Sequence, residues 1–140
     1  MADVHSPSVR SYNMSKIGGK NTKPEIIVRK FLFSKGFRFR LHKANLPGKP
    51  DIVLPKYQTV IFINGCFWNG HKKCKYFVLP KTRTIWWEDK IIKTQKRDRS
   101  NYKKLKMNGW QVICIFECEL KKPFREKSLG KIVNLLLENI

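Results

Sequence analysis

The chain predicts an α/β protein of one domain: a mixed sheet with helices packed on its faces. Three observations carry that expectation. Apolar runs of strand length stand at 51–54, 59–64 and 110–118. Segments with apolar residues at helical spacing flank and separate them. The 140 residues, 41% of them hydrophobic, suffice for one core, and no repeat, low-complexity tract or second domain is visible.

Residues 1–21 read as an N-terminal arm, poor in apolar residues and carrying Arg10, Lys16 and Lys20, with the domain proper at 22–140. Ordering on nucleic acid and plain disorder are both open readings of the arm. Thr22-Lys23-Pro24-Glu25 opens the first helix as a capping box, and Gly36 suits its left-handed stop. Alternation in Phe37-Arg38-Phe39-Arg40-Leu41-His42 predicts a strand with one apolar face. After the turn Leu46-Pro47-Gly48-Lys49-Pro50, Asp51–Leu54 is a short buried strand with an acid at its mouth. Thr59–Asn64 is the best central strand. A long polar helix is expected at about 85–107, ended by Gly109, then a strand at 110–118 and a last helix capped by Ser128.

The formal charge is +20, from 30 basic and 10 acidic residues. Solubility or attraction to anionic lipid would account for some excess. Charge spread along the whole chain together with 12% aromatic residues favours nucleic acid. Binding through phosphate contacts would weaken steeply with salt. No run is apolar and long enough to span a membrane, and Met1–His5 lacks the layout of a signal peptide, so a cytoplasmic protein with reduced cysteines is expected.

Two places could carry chemistry. In Gly65–Cys74 the residues Cys66, His71 and Cys74 are close enough to share one zinc ion, which takes thiolate and imidazole donors in a tetrahedron. Cys114 and Cys118, read as alternate residues on one face of a strand, each offer a fourth donor, Cys118 the more easily. Free cysteines beside a surface histidine are the metal-free alternative. Phe67, Trp68, Trp86 and Trp87 form the aromatic set. One of the two tryptophans on the helix is expected in the core, whereas Phe67-Trp68 could wedge between base pairs. The second place is Pro50-Asp51 at a strand start, one hairpin before a core strand. That layout suits a metal-dependent nuclease in which Asp51 holds magnesium through hard oxygen. The later strand ends in Ile63-Asn64, without the acid and lysine usual there. On its own, Asp51 also fits a plain Pro-Asp turn, and Glu25 a plain cap.

Taken together, several stretches resemble the very-short-patch-repair (Vsr) mismatch endonuclease family over almost the whole chain. They are Met1–His5 with Arg10–Met14, Leu46–Asp51, Gly65-Cys66-Phe67-Trp68, Thr82-Arg83-Thr84 and Glu117-Cys118. The resemblance implies a fold related to restriction endonucleases. It implies nicking of double-stranded DNA 5′ of the thymine in T·G mismatches, which arise when 5-methylcytosine deaminates. By position, Asp51 matches the magnesium-binding aspartate, aided by the Ile63 carbonyl, and Glu25 and Asp98 match active-site acids. Cys66, His71, Cys74 and Cys118 match the zinc ligands, and Phe67, Trp68 and Trp87 the intercalating aromatics. The family further implies association with mismatch-repair proteins and a cytosine-5 methyltransferase; a nucleoid-associated protein is expected, with a monomer the default for an enzyme that nicks one strand. Two positions depart from it: Asn69 and Asn64 stand where histidines occur. An amide cannot accept a proton as imidazole does, though it can orient water. That departure sets a mismatch-binding protein with a weakened site beside the nicking enzyme.

Overall fold

The computed structural model describes residues 22–42, 45–66, 70, 71, 74 and 78–138. The arm with Arg10 and Lys16, and Phe67, Trp68 and Asn69 of the loop, lie outside the described residues.

Helix α1 spans Lys23–Ser34. Thr22 is extended, and its N–H donates to Glu25 Oε2 at 3.2 Å, so the expected reciprocal cap is present on the glutamate side. Gly36, at φ +88°, reverses the chain, a conformation open to glycine at little cost. Strands β1 (Arg40–Leu41), β2 (Ile52–Leu54) and β3 (Thr59–Asn64) form an antiparallel meander. Helix α2 (Thr84–Met107) then carries the chain across to β4 (Gln111–Phe116), which pairs parallel with β3. Helix α3 (Arg125–Glu138) closes the chain, and the sheet order is β1-β2-β3-β4.

The expected mixed sheet flanked by helices is therefore present. β2 is buried on both faces. On one face Ile52, Leu54, Ile61, Ile113 and Ile115 pack with Val28 and Leu32 of α1 and Leu129, Ile132 and Leu136 of α3. On the other, Val53, Val60 and Phe62 pack with Leu105 and Tyr102 of α2. Each fully buried aliphatic side chain stabilises the fold by roughly 1.5–3 kcal/mol before entropy is subtracted.

Three expected boundaries shift, each for a local reason. The strand expected at 37–42 narrows to Arg40–Leu41. Phe37 leaves the ladder to enter the core, meeting Tyr57 edge-on at 5.2 Å, and His42, at φ +48°, turns the chain out of strand geometry. The strand expected to reach Cys118 stops at Phe116, because its partner β3 stops at Asn64. A 3₁₀ turn, Glu117–Leu120, follows, and Glu119 Oε2 accepts from the Phe116 N–H at 2.8 Å. Ser128 does not cap α3. It lies inside the helix, its N–H bonded to the Phe124 carbonyl at 3.1 Å.

Candidate metal and active-site clusters

In the parallel ladder every β3 residue pairs with the β4 residue 52 positions on, from Thr59 with Gln111 to Asn64 with Phe116. The same offset links Cys66 to Cys118. Both cysteines therefore leave the sheet at the carboxyl ends of neighbouring parallel strands. Cys118 stands on the 3₁₀ turn, not on the strand face that the sequence implied, and it is separated there from Cys114. Cys114 pairs with Phe62 and belongs to the face covered by α2.

The described part of the loop supplies the other donors. The His71 N–H bonds to the Cys66 carbonyl at 2.9 Å, and the Cys74 N–H to the His71 carbonyl at 3.3 Å. These turns fold Cys66, His71 and Cys74 back on one another, and His71 Nδ1 lies 3.4 Å from Cys118 Sγ. The ligand atoms of Cys66, His71, Cys74 and Cys118 all lie within 4.8 Å of one another. The His71 ring stacks flat on Phe116 at 3.8 Å, which fixes its plane. Burial pushes the Cys66 thiol up to about 12, and the neighbouring sulfurs of Cys118 and Cys74 add to the rise. Burial also raises Cys118. The Cys66 and Cys118 thiols in this setting stay protonated unless a cation sits beside them. The donor set, three sulfurs and one imidazole nitrogen, fits a tetrahedral metal of the zinc type.

Gly70 holds this loop against α2. Its φ is +57°, and a Cβ there would fall 2.7 Å from both Ile91 Cγ2 and Gln95 Nε2. Gln95 Nε2 also donates to the Gly70 carbonyl at 3.4 Å. The amino half of α2 thus carries the loop, while its carboxyl half carries the sheet.

A second cluster lies at the same end of the sheet. Asp51 precedes β2, and its Oδ2 accepts from the Ile63 N–H at 2.7 Å. Glu25 is 2% exposed; its Oε2 accepts from the Thr22 N–H and, at 3.3 Å, from Arg29 Nη2. Its Oε1 faces His42 Nε2 at 3.4 Å. Glu25, His42 and Asp51 bring their ligand atoms within 4.8 Å of one another. Burial pushes the Asp51 carboxyl up to about 7; Glu25 beside it adds to the rise, while the Ile63 N–H opposes it. Two carboxyl groups in one partly dry site want a cation or a shared proton. Oxygen donors of this kind suit a hard divalent ion.

Glu25 and Asp51 are thus brought together, and Ile63 touches Asp51 through its N–H. Asp98 and Asn64 are not in that set. Asn64 Nδ2 donates to the Tyr102 hydroxyl at 3.2 Å on the α2 side. Asp98 lies 3.7 Å from Arg97 Nε, with Tyr102 and Cys114 among its electrostatic neighbours, and burial raises its carboxyl. Neither tryptophan on α2 is buried in the core: Trp87 is half-buried, and Trp86 is 43% exposed between Arg83 and Lys90. The first turn of α2 stands beyond the sheet cluster that Tyr102 and Leu105 cover. Sequence reasoning missed His42. The antiparallel register would have found it, since Arg40 pairs with Val53 and Leu41 with Ile52, which sets His42 opposite Asp51.

Two donor clusters at one end of a mixed sheet define a strongly cationic α/β protein with two candidate metal-binding sets. A family model described as DNA mismatch endonuclease Vsr matches residues 2–75. The chain is 48% identical over 134 residues to the type II nicking enzyme V.NmeAIP of Neisseria meningitidis serogroup A, covering 95% of each. It is 46% identical over 120 residues to the type II nicking enzyme V.XorIIP of Xanthomonas oryzae pv. oryzae, covering 86% of this chain and 88% of that one. It is 41% identical over 138 residues to the DNA mismatch endonuclease Vsr of Escherichia coli K12, covering 99% of this chain and 86% of that one. The chain belongs to the Vsr family of DNA mismatch endonucleases. Among the described residues no helix is long and apolar enough to cross a membrane.

Proposed function

We propose that the protein nicks one strand of duplex DNA 5′ of the thymine in T·G mismatches, the lesion left by 5-methylcytosine deamination, on a restriction-endonuclease-like fold. The observation that supports this most is the placement of Asp51. Its carboxylate lies with that of Glu25 at the sheet end from which the Cys66 loop issues.

In this reading Asp51 and the Ile63 carbonyl hold a magnesium ion. The Ile63 N–H orients the Asp51 carboxylate, and in a strand the carbonyl leaves by the same edge as its own N–H. Glu25, clamped by Thr22 and Arg29, braces the site from α1. Bound magnesium would supply Lewis-acid stabilisation to the charge that gathers on the scissile phosphate. Cys66, His71, Cys74 and Cys118 hold a structural zinc that ties the loop to the end of β4. Phe67, Trp68 and Trp87 act as the aromatic wedge entering a weakened base pair, where unstacking costs least. Arg10 and Lys16 contact phosphates, and Asp98 serves as a further acid along α2. Asn69 and Asn64 orient water without taking its proton. A monomer suffices to cut one strand, with mismatch-repair proteins and a cytosine-5 methyltransferase as functional partners.

The test is nicking of a T·G duplex by wild type and Asp51→Ala. Nicking should fall by ~10³-fold, the scale of losing one preorganised electrostatic stabiliser, with mismatch affinity retained. Equal nicking refutes the role. Asn69 motivates the rival, a mismatch-binding protein with a weakened site. If wild type binds T·G DNA without cutting and only Asn69→His cuts, the rival stands.

A further inference from the structure

We infer that His42 is a direct nitrogen ligand in the Glu25–Asp51 site, making it a mixed oxygen and imidazole site rather than an all-oxygen one. The inference rests on the reading that Asp51 holds a divalent cation, and it adds a residue and a metal preference to that reading.

Three observations converge on the imidazole. Glu25 Oε1, in a side chain 2% exposed, and His42 Nε2 are buried and face each other at 3.4 Å, with the Asp51 carboxyl beside them. That contact is an ion pair only with a charged imidazole, whereas a cation set between the carboxyl groups and the ring nitrogen would satisfy all three side chains at once. The other carboxylate oxygen is already held by Thr22 and Arg29, which leaves Oε1 turned into the site. The backbone fixes the imidazole as firmly. The His42 N–H bonds to the Asp51 carbonyl at 3.3 Å, and φ +48° ends β1 at that residue. The donor atoms of all three side chains fall within 4.8 Å of one another, a span one cation bridges.

An imidazole ligand changes selectivity. Carboxylate and carbonyl donors suit magnesium, whereas imidazole favours transition metals, which bind such sites more tightly along the first-row series. This chain should therefore hold manganese more tightly, relative to magnesium, than an all-oxygen site would.

The experiment loads the zinc-replete protein with Mn2+ alone and records electron spin-echo envelope modulation from directly bound nitrogen. Mn2+ and Mg2+ affinities are measured alongside by titration. His42→Asn is the variant of choice, because asparagine tolerates positive φ and its side chain is too short to replace Nε2. Wild type should show nitrogen modulation, and His42→Asn should lose it. Mn2+ affinity should fall ~10-fold while Mg2+ affinity changes less. Absence of nitrogen modulation in wild type, or modulation that survives His42→Asn, overturns the role of His42 and needs no assumption about the variant's folding. Asp51→Asn separates the two readings. If it abolishes Mn2+ binding while His42→Asn changes nothing, the aspartate reading stands and this inference falls. If Asp51→Asn leaves Mn2+ binding intact, both fall.

Discussion

Cys66, His71 and Cys74 come from one short loop, and only Cys118 arrives from elsewhere. Glu25, His42 and Asp51 come from a helix, a strand end and a strand start, joined by no local stretch. In the sulfur cluster, backbone turns between neighbours gather the donors, and the fold adds one long-range partner. In the carboxylate cluster the fold gathers everything, and the backbone contributes the Ile63 and His42 N–H groups as rulers. The lesson is that a locally built site depends on its loop and on the one strand pairing that delivers its long-range donor. A globally built site records every shift of the elements around it.

That contrast breaks most sharply at the sulfur cluster. Cys66→Ser or prolonged chelation of the zinc-loaded protein should lower the melting temperature by more than about 10 °C, because structural zinc contributes folding energy outright. A melting curve unmoved by chelation would strip the cluster of its structural role. Next comes Gly70→Ala, which places a Cβ against Ile91 and Gln95 at a positive φ. A loss of about 2–3 kcal/mol is expected in denaturant unfolding, from backbone strain and overpacking together.

The carboxylate cluster should respond in the opposite direction. In magnesium-free buffer the folded protein keeps the Asp51 proton up to about 7, whereas the unfolded chain releases it near 3.8. Stability therefore falls as pH rises through that window, since the native state binds the extra proton. Asp51→Asn should gain about 1–2 kcal/mol over wild type at pH 8, and nothing below pH 4. Parallel melts at the two pH values check it; a gain of equal size at both would point to packing instead. The smallest effect belongs to Cys114→Ser. Cys114 lies on the α2 face, outside the sulfur cluster, so zinc content should be unchanged, while Cys118→Ser lowers it. Elemental analysis of the two variants tests the preference for Cys118 over Cys114.

Much of this was legible in the residues. The capping box at Thr22–Glu25, the central strand at 59–64 and the long helix to Met107 follow from local patterns, and each stands where the pattern put it. Spacing of cysteine and histidine was enough to place three of the four sulfur-cluster donors, because those donors are neighbours along the chain. Strand ends were less legible, since a ladder stops where its partner stops. Nothing within 110–118 says that β3 ends at Asn64. His42 was invisible for the same reason: its neighbour Asp51 is set by the register of β1 on β2, a property of the pair. Local pattern reads Glu25 as a cap, which it is, and only the folded chain buries the same side chain next to Asp51.

The constant offset between β3 and β4 has a consequence for how the molecule matures. Sliding one strand past the other by a single residue would carry Cys118 about 3.3 Å from its place and flip each side chain to the wrong face. The fourth donor thus comes within range only after the two paired strands farthest apart along the chain have found their proper alignment. Capture of a metal ion by this cluster would then be a seal set on a finished sheet. Refolding followed with a zinc-sensitive dye should show metal uptake trailing the return of β-structure, never leading it.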